Sequence, residues 1–476
     1  MSCRCIVGFA GVILACGAAL ASPSLIVSVD GAIGRNLEAF TTIRLSEPAP
    51  EGGLKVTITS GDPTKLLVAR EQDVAGAQSI TVNVNPQYVE TPAFYLQSFG
   101  DSGSVTYTVT APGYSSVQGT VTLAPSAIRL RGPFGALEFR ATTGVPSAIT
   151  INSGRLDSTD NIAQEQPIAG GLAVTVNLTT SDSRVGSLAN STLALAGGAS
   201  SATTAFKPAT VGKTILTANA PATFAFVPKL GSVTAIVDLP GIAIVGEIML
   251  GKDLQVRGDV LLGVAAPPNG LDVTLTSADP SRIVLSNRDD EPGSETITVH
   301  IPAGESRAPY HIQGLTDSGT VNYIAKAVGF RSRVAPVTLA PSGVMVVFAP
   351  YGPPDEAEVK RSTLTLDPRP FTVSLSEHKN APLAVWTVYL DPATRRGGDI
   401  TAQRLRPGVF PKVELKSSNS AVGKVSSTMA LSSTRAFTPA EFIPLAPGQT
   451  VISVSTPPGF ATPSNATTVT ATVKAE

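Results

Sequence analysis

A ten-residue stretch that recurs along the chain constrains the fold more than any other feature. It reads Leu-Asp-Val-Thr-Leu-Thr-Ser-Ala-Asp-Pro at Leu271–Pro280 and Leu-Lys-Val-Thr-Ile-Thr-Ser-Gly-Asp-Pro at Leu54–Pro63. Looser copies occur at Val174–Ser183 and Val413–Ser420. Apolar and polar residues alternate, which indicates a strand with one buried face, and the Asp at its end favours a turn. Four copies predict four similar β domains.

Repetition over longer distances predicts that the domains were duplicated. Asp62 in the first copy corresponds to Asp279, and the turn at Asp101 corresponds to the turn at Asp317. The two correspondences have the same separation along the chain to within one position. A register that holds this closely over a whole domain indicates duplication.

A second, weaker correspondence relates the intervening region to the last one. Val185-Gly186 matches Val422-Gly423, and Gly212 matches Gly448 at nearly the same separation. The order along the chain is therefore short, long, short, long. We predict domains over residues 22–126, 127–240, 241–343 and 344–476, the last with an added segment at 355–408.

Composition and periodicity set the fold class and exclude one class of partner. The chain has 476 residues, of which 15% are charged, and a formal net charge of −1. Because the chain has no excess of positive charge, nucleic-acid binding is not expected. No long helical period of 3.6 residues is present, and strand patterns recur at roughly ten-residue spacings with turn signals between them. The sequence predicts an all-β chain, a tandem array of four β-sandwich domains.

The N-terminal segment, up to Ala21, has the features of an export signal. Arg4 supplies a positive charge, an apolar run follows it, and Ala19-Leu20-Ala21 fits the small-x-small cleavage rule. A second route competes, because Ile13-Leu14-Ala15-Cys16 resembles a bacterial lipobox in which Cys16 would be lipidated. Either route predicts a secreted or cell-surface protein with no transmembrane segment in the mature chain. All three cysteines lie in this leader, so no disulfide or thiolate metal site is expected.

Several motifs together resemble a known family. They are Ser-x-Asp-Pro after an alternating strand, Ile-Thr-Val, Asp-Ser-Gly-[Ser/Thr]-Val, and Ala-Pro-Gly-Tyr before a last strand. This set is similar to bacterial immunoglobulin-like repeats, which form the stalks of invasin- and intimin-type adhesins. The resemblance implies an immunoglobulin-like sandwich fold, an extracellular location and, in many members, adhesion. The short Leu-Ala-Pro-Ser joints between domains predict a semi-rigid rod.

Two aromatic residues, Trp386 and Tyr389, are the candidates for a binding surface. One interpretation is a platform for a sugar or a protein. The other, which we favour, is a core ring like the tryptophan of strand C in immunoglobulin sandwiches, because such a ring buries a large apolar area. The repeated tyrosines Tyr107 and Tyr323 are expected to have a structural role.

Two other motifs suggest binding but have simpler explanations. Arg257-Gly258-Asp259 spells the integrin tripeptide, yet the repeat aligns it with a strand in the first domain, whereas functional copies occupy loop tips. Asp289-Asp290-Glu291 could coordinate calcium, but the first domain has no equivalent cluster, so a solvated loop is the better explanation.

The function predicted from these features is non-enzymatic. With three histidines in the whole chain and no cysteine after the leader, we predict no catalytic, cofactor-binding or metal-binding residue and no cofactor. The chain is predicted to be an exported or cell-surface structural or adhesion-type protein that spaces or displays a terminal module. The alternative is a carbohydrate-binding or accessory module of an extracellular enzyme system. The partner would be an extracellular protein or a glycan that the sequence does not identify.

Overall fold

The structure is a computed structural model that describes residues 22–27, 31–349, 369–377 and 379–476. The chain divides into two compact units, Met1–Asp238 (unit 1) and Leu239–Glu476 (unit 2). Among the described residues, strands account for 55% and helices for 2%. The predicted all-β class with repeated β-sandwich domains is therefore confirmed. The predicted signal peptide and Cys16 lie outside the described residues.

The first half of unit 1, residues 22–125, contains ten strands. They are β1 Leu25–Val27, β2 Ala32–Gly34, β3 Glu38–Thr41, β4 Ile43–Leu45, β5 Leu54–Ser60, β6 Leu66–Ala69, β7 Ser79–Val84, β8 Phe94–Ser98, β9 Ser104–Thr110 and β10 Val117–Ala124. A five-stranded sheet in the order β2-β10-β9-β5-β7 packs against a three-stranded sheet, β3-β8-β6, with β1 and β4 paired separately. Strand β5 buries Leu54, Val56 and Ile58 on one face, as its alternating sequence predicts.

The second half of unit 1, residues 126–238, also consists of two sheets. Its strands are β11 Ser126–Arg131, β12 Glu138–Thr142, β13 Ser147–Leu156, β14 Ile162–Glu165, β15 Ala173–Thr180, β16 Gly186–Leu188, β17 Thr192–Ala196, β18 Ser201–Pro208, β19 Gly212–Asn219 and β20 Ser232–Asp238. The sheet orders are β11-β13-β18-β16, with β14 beside β13, and β12-β20-β19-β15-β17. A 3-10 turn at Pro133–Gly135 and a single helical turn, α1 at Pro228–Gly231, lie between strands.

Unit 2 follows the same plan. Its first half, residues 239–341, has β21 Ile242–Ala243, β22 Ile248–Gly251, β23 Leu254–Leu262, β24 Leu271–Ser277, β25 Ile283–Ser286, β26 Thr296–Ile301, β27 Arg307–Gly314, β28 Thr320–Lys326 and β29 Arg333–Ala340. Its second half, residues 342–476, has β30 Ser342–Phe348, β31 Phe371–Ser374, β32 Ala381–Tyr389, β33 Arg404–Leu405, β34 Lys412–Ser417, β35 Gly423–Val425, β36 Thr428–Ala430, β37 Phe437–Pro444, β38 Gly448–Val454 and β39 Thr468–Lys474, with a 3-10 turn at Asp399–Thr401.

The sheet orders of the two units correspond strand by strand. The order β22-β29-β28-β24-β26 in unit 2 matches β2-β10-β9-β5-β7 in unit 1, including a parallel pair at one edge. In the second halves, β30-β32-β37-β35 matches β11-β13-β18-β16, and β31-β39-β38-β34-β36 matches β12-β20-β19-β15-β17. The regular spacings in the sequence therefore reflect a repeated architecture.

The turn that ends the repeated strand has the same hydrogen bond in all four copies. A side-chain oxygen of Asp or Asn accepts a hydrogen bond from the backbone nitrogen two residues later. The four pairs are Asp62–Thr64 at 3.0 Å, Asp182–Arg184 at 3.0 Å, Asp279–Ser281 at 3.1 Å and Asn419–Ala421 at 3.2 Å. This Asx turn is the mechanism that favours Asp and Asn at such positions. Hydrogen bonding by the Thr64 side chain also lowers the pKa of Asp62.

Candidate functional site

The most distinctive polar site in unit 1 lies where its two halves meet. We call it the joint, and define it by Leu37, Glu38 and Gln97 of the first half and Gln166 and Ile168 of the second. Leu37 and Ile168 form an isolated antiparallel bridge and are fully buried. The three polar side chains beside them are at most 2% exposed. Buried polar groups of this kind are stable only when they are hydrogen-bonded.

Gln166 connects the second half to strand β2 of the first. Its Nε2 donates to the backbone oxygen of Ala32 at 2.9 Å, and its Oε1 accepts from the backbone nitrogen of Gly34 at 3.0 Å. One amide therefore satisfies both a donor and an acceptor of the strand edge, as a neighbouring strand would. Such a two-point contact fixes direction as well as distance.

Gln97 and Glu38 make the second polar contact of the joint. The Oε1 of Gln97 accepts from the Gly76 nitrogen at 2.8 Å, and its Nε2 donates to Val74 oxygen at 2.9 Å and to Glu38 Oε2 at 3.0 Å. The same carboxylate oxygen accepts from the backbone nitrogen of Gly170, in the second half, at 2.9 Å. The network thus crosses from one half to the other.

Burial of the Glu38 carboxyl group at this position is electrostatically unfavourable. Its side chain is fully buried, and Oε1 has no hydrogen-bond partner among the described residues. Burial raises the pKa of Glu38 above its ordinary value, because a dry environment disfavours the charged form. The hydrogen bonds from Gly170 and Gln97 act in the opposite direction, and Asp73 adds a smaller repulsion.

Unit 2 builds the same joint from equivalent positions. Gln403 replaces Gln166: its Oε1 accepts from Gly251 nitrogen at 2.9 Å, and its Nε2 donates to Met249 oxygen at 2.7 Å. Strand β33 pairs with β23 through Leu254 and Leu405, both fully buried. These contacts correspond to those of Gly34, Ala32, Leu37 and Ile168.

One substitution distinguishes the second joint from the first. Gln313 matches Gln97, accepting from Gly293 nitrogen and donating to Glu291 oxygen, both at 2.9 Å. In place of Glu38 stands Gln255, whose Nε2 donates to Leu405 oxygen at 3.1 Å and Asp289 oxygen at 2.8 Å. The second joint therefore contains a neutral amide where the first contains a carboxyl group.

The chain enters both joints through a residue in the left-handed conformation. Asn36 has φ 60° and Asp253 has φ 61°. The backbone oxygens of these residues accept from Ala169 nitrogen at 2.9 Å and from Arg406 nitrogen at 3.0 Å. Asn and Asp adopt this conformation more readily than other residues with a side chain. In unit 2 the Arg406 guanidinium adds an ion pair with Asp253, at 2.8 Å.

Two glycines allow the halves to approach closely. A Cβ atom added to Gly34 would lie 2.7 Å from Leu37 Cδ1 and 3.3 Å from Arg155 Cα in the second half. A Cβ atom added to Gly251 would lie 2.5 Å from Leu254 Cδ1 and 3.2 Å from Tyr389 Cβ. The first distance in each pair is shorter than real contacts allow, so a side chain would displace the leucine.

Trp386 and Tyr389, the predicted candidates for a binding surface, both lie inside unit 2. The Trp386 side chain is 2% exposed and packs on Phe437 with ring centroids 5.0 Å apart, so it serves as the core ring of the favoured alternative. Tyr389 is half-buried at the second joint, paired with Ser342. Burial raises the pKa of its hydroxyl. Neither ring forms an exposed platform.

The tripeptide Arg257-Gly258-Asp259 lies within strand β23. Asp259 pairs with Arg307 at 2.8 Å and with Arg257 at 3.4 Å, so its carboxylate is engaged. Gly258 lies against the ring of Tyr310, where an added Cβ would be 2.6 Å from Cζ. The strand position agrees with the alignment of the repeats.

The repeated tyrosines are buried, as a structural role requires. Tyr107 is 3% exposed and Tyr323 is fully buried. The hydroxyl groups of Tyr310 and Tyr323 lie 2.6 Å apart, and Tyr323 also donates to the backbone oxygen of Val245. Burial raises the pKa of both phenols in this pair.

The acidic loop 289–291 is compensated by arginines. Arg288 pairs with Asp290 at 2.8 Å and with Glu291 at 3.2 Å, and Arg404 pairs with Asp289 at 2.9 Å. Within the described ranges, no group of three or more His, Cys, Asp or Glu side chains is placed to hold a metal ion. Nor does any helix in those ranges have the length and hydropathy to cross a membrane.

Sequence reasoning did not find the residues of the joints. The available signal was that the same residue occupies equivalent positions in the repeats. Gln97 and Gln313 are one such pair, and Gln166 and Gln403 are the other. Glutamine has no strong preference for strands or turns, so neither hydrophobic periodicity nor turn signals single it out. A pairwise comparison of the repeats for shared polar residues would have identified both pairs.

Comparison with known proteins gives structural neighbours but no family. No protein-family model matches the sequence, and no curated protein matches it either. Similar solved structures include the Yersinia pseudotuberculosis adhesin InvE, at 15% identity and TM-score 0.18, over 45% of this chain and 58% of that one. An Escherichia coli alpha-2-macroglobulin shows 10% identity and TM-score 0.17, over 95% and 44% of the two chains. A glycosyl hydrolase family 2 member from Bacteroides cellulosilyticus shows 11% identity and TM-score 0.18, over 45% and 29%. The chain thus spans less than two thirds of each neighbour.

Proposed function

We propose that the mature chain is a non-enzymatic exported or cell-surface scaffold that spaces or displays a terminal module. The observation that carries this proposal is the joint, which is built twice, from equivalent residues, inside the two units. A single polar contact between sandwiches could be incidental. Its repetition, with equivalent backbone atoms bound by Gln166 and by Gln403, supports a defined arrangement of the two halves within each unit.

The chemistry of the joint suits a rigid connection. Rotating one half of unit 1 against the other would break the hydrogen bonds of Gln166 and Glu38 and leave buried donors and acceptors unpaired. Each unpaired buried group costs about 1–3 kcal/mol, so several together oppose bending strongly. A connection that resists bending is what a spacer needs and what a flexible linker lacks.

The perturbed titratable groups support a non-enzymatic role. Strongly shifted groups often mark catalytic sites, but structural networks shift them too. Glu38 is enclosed between the halves of unit 1, and Tyr310 and Tyr323 bond one another in a core. Each of these shifts has a structural cause in packing.

A second candidate function is a carbohydrate-binding module. One observation favours it: unit 1 has an open polar sheet face beside the fully exposed ring of Phe134. Aromatic rings flanked by polar side chains are common features of small-ligand sites.

The scaffold proposal can be tested in the native host. We would compare the full chain with a variant that keeps the leader but lacks residues 22–238. The scaffold role predicts that the shortened protein is still exported but that unit 2 becomes less accessible to an external protease. A panel of glycosidase, esterase and protease substrates should show no turnover. Turnover that disappears when one Asp or Glu in residues 344–476 is replaced would contradict the proposal.

A further inference from the structure

The outer face of the sheet β11-β13-β18-β16 in unit 1 is polar and open to solvent. Arg129 and Arg131 on β11 lie beside Asn152 and Thr150 on β13, each pair in direct register. The turn that carries Phe134 closes one end. Together they line a groove of about 420 Å³.

The equivalent face in unit 2 is different in both chemistry and burial. The pair Met345–Trp386 occupies the place of Arg129–Asn152, since each pair lies at the fourth position of a strand that begins with Ser342 or Ser126. Met345 is fully buried and Trp386 is 2% exposed. The segment at Gly397 lies directly on this face, because an added Cβ there would be 2.7 Å from Met345 Sδ. The face that unit 2 uses for packing is therefore polar and uncovered in unit 1.

Phe134 is the most unusual residue of the groove. Its side chain is fully exposed, and its backbone has φ 55° and ψ 24°. A bulky residue with a side chain in this region is strained, and an exposed aromatic ring gains nothing from folding. The exposed ring is therefore available for contact with a molecule outside the chain.

Arg131 is the second arginine of the groove, and the nearby carboxylate of Glu165 acts on its charge without forming an ion pair with it. Its guanidinium is half-buried and donates to the backbone oxygen of Leu130 at 3.0 Å, but among the described residues it forms no ion pair. Arg129, by contrast, pairs with Glu165. Burial, together with the charge of Arg129, lowers the pKa of Arg131. An anion in the groove would relieve this unfavourable environment.

We propose that this groove binds an acidic polysaccharide. A sugar ring would pack on Phe134, and its carboxylate or sulfate would pair with Arg131, which favours planar two-point contacts with such groups. Thr150 and Asn152 would bond sugar hydroxyls. A nucleic acid is a poorer fit, because one unpaired arginine cannot neutralise a run of phosphates. This inference rests on the second candidate function and names its ligand class.

The test is a binding measurement on residues 22–476. Polygalacturonate supplies carboxylates, heparin supplies sulfates as well, and neutral dextran and a single-stranded oligonucleotide serve as comparisons. We expect binding to at least one acidic glycan that weakens as salt is raised. Phe134→Ala and Arg131→Gln should each weaken binding by about tenfold or more, as loss of a stacked ring or of a charged hydrogen bond does.

Matched variants keep the result interpretable. Phe40→Ala removes a ring that is 73% exposed on β3, and Arg184→Gln removes an exposed arginine outside the groove; both should bind normally. The inference is overturned if no acidic glycan binds, if dextran or the oligonucleotide binds equally well, or if the control variants weaken binding as much as the groove variants. Because the scaffold test measures export and accessibility, failure here leaves that result unaffected.

Discussion

The side-chain oxygen of Gln166 lies 3.0 Å from the backbone nitrogen of Gly34, although the two residues are far apart in the sequence, and this bond fastens one sandwich of unit 1 to the next. Its counterpart, between Gln403 and Gly251, spans a longer stretch of chain. The extra residues of unit 2 precede Gln403, so the addition is shorter than the predicted segment 355–408, whose last part contains Gln403 and Leu405 and has a counterpart in unit 1. The bond itself is unchanged, which shows that the insertion left the joint intact.

Truncation of Gln166 should destabilise unit 1. Gln166→Ala leaves the nitrogen of Gly34 and the oxygen of Ala32 buried without partners, at a cost of about 1–3 kcal/mol for each group. Urea unfolding of residues 22–238 measures the change in the free energy of unfolding. Gln118→Ala, at an exposed position on β10, is the control and should change stability by no more than about 0.5 kcal/mol. Equal effects of the two substitutions would show that the joint contributes nothing.

Glu38 should make the stability of unit 1 depend on pH. Because burial raises its pKa in the folded state, its contribution is fully present below the ordinary value of 4.5 and is lost as pH rises through the folded pKa. Glu38→Gln should remove that loss and stabilise unit 1 near pH 7 by about 1 kcal/mol. The measurement is urea unfolding from pH 4 to 8.

Unit 2 provides the reciprocal control for this prediction. Gln255 occupies the equivalent position, so Gln255→Glu should introduce the same fall in stability with rising pH into unit 2. A stability difference between Glu38→Gln and wild-type unit 1 that does not grow as pH rises would contradict this role of Glu38, because the lowered pKa values of Asp62, Asp157 and Asp182 are common to both proteins.

The glycine at the first joint should not tolerate a side chain. Gly34→Ala would place a Cβ 2.7 Å from Leu37 Cδ1, and overpacking of this kind costs about 1–3 kcal/mol. Gly31→Ala, where no atom lies within 4 Å of the added Cβ, is the control and should be close to neutral. Thermal unfolding of the two variants measures the difference, and a stability of Gly34→Ala equal to wild type would contradict the close approach.

Much of the strand pattern could be predicted from the sequence. Alternation in the sequence predicts strands over Ser79–Val84 and Leu54–Thr59, and the structure has strands over Ser79–Val84 and Leu54–Ser60. These strands alternate clearly and are bounded by turn residues. The sequence also predicts one strand over Ala39–Leu45, but the structure has two strands there, β3 and β4, separated at Thr42.

What the sequence does not reveal depends on contacts between distant segments. Strands β2 and β6 are too short for periodicity to register, and β2 is defined by its parallel pairing with β10. Periodicity also gives no sign of Gln166 and Gln403, since their partners are backbone atoms on another sandwich. In the added segment the sequence predicts a strand near Thr363–Leu366, which lies outside the described residues.

The two processing routes proposed for the N-terminus predict mature proteins of different mass. Cleavage after Ala21 predicts Ser22 or a neighbour as the first residue of the protein purified from its native host, and mass spectrometry of the intact protein reads this directly. A diacylglyceryl mass on Cys16 would instead show lipid anchoring and would contradict plain secretion.

We expect the joint to hold the two halves of each unit as one rigid body. Residual dipolar couplings measured by NMR on residues 22–238 test it most directly, because each half reports its own alignment tensor. In the wild-type protein, residues 22–125 and 126–238 should share one alignment tensor in orientation and magnitude. In the double variant Gln166→Ala, Gln97→Ala, the two halves should have different tensors. Different tensors for the two halves in the wild-type protein would contradict it.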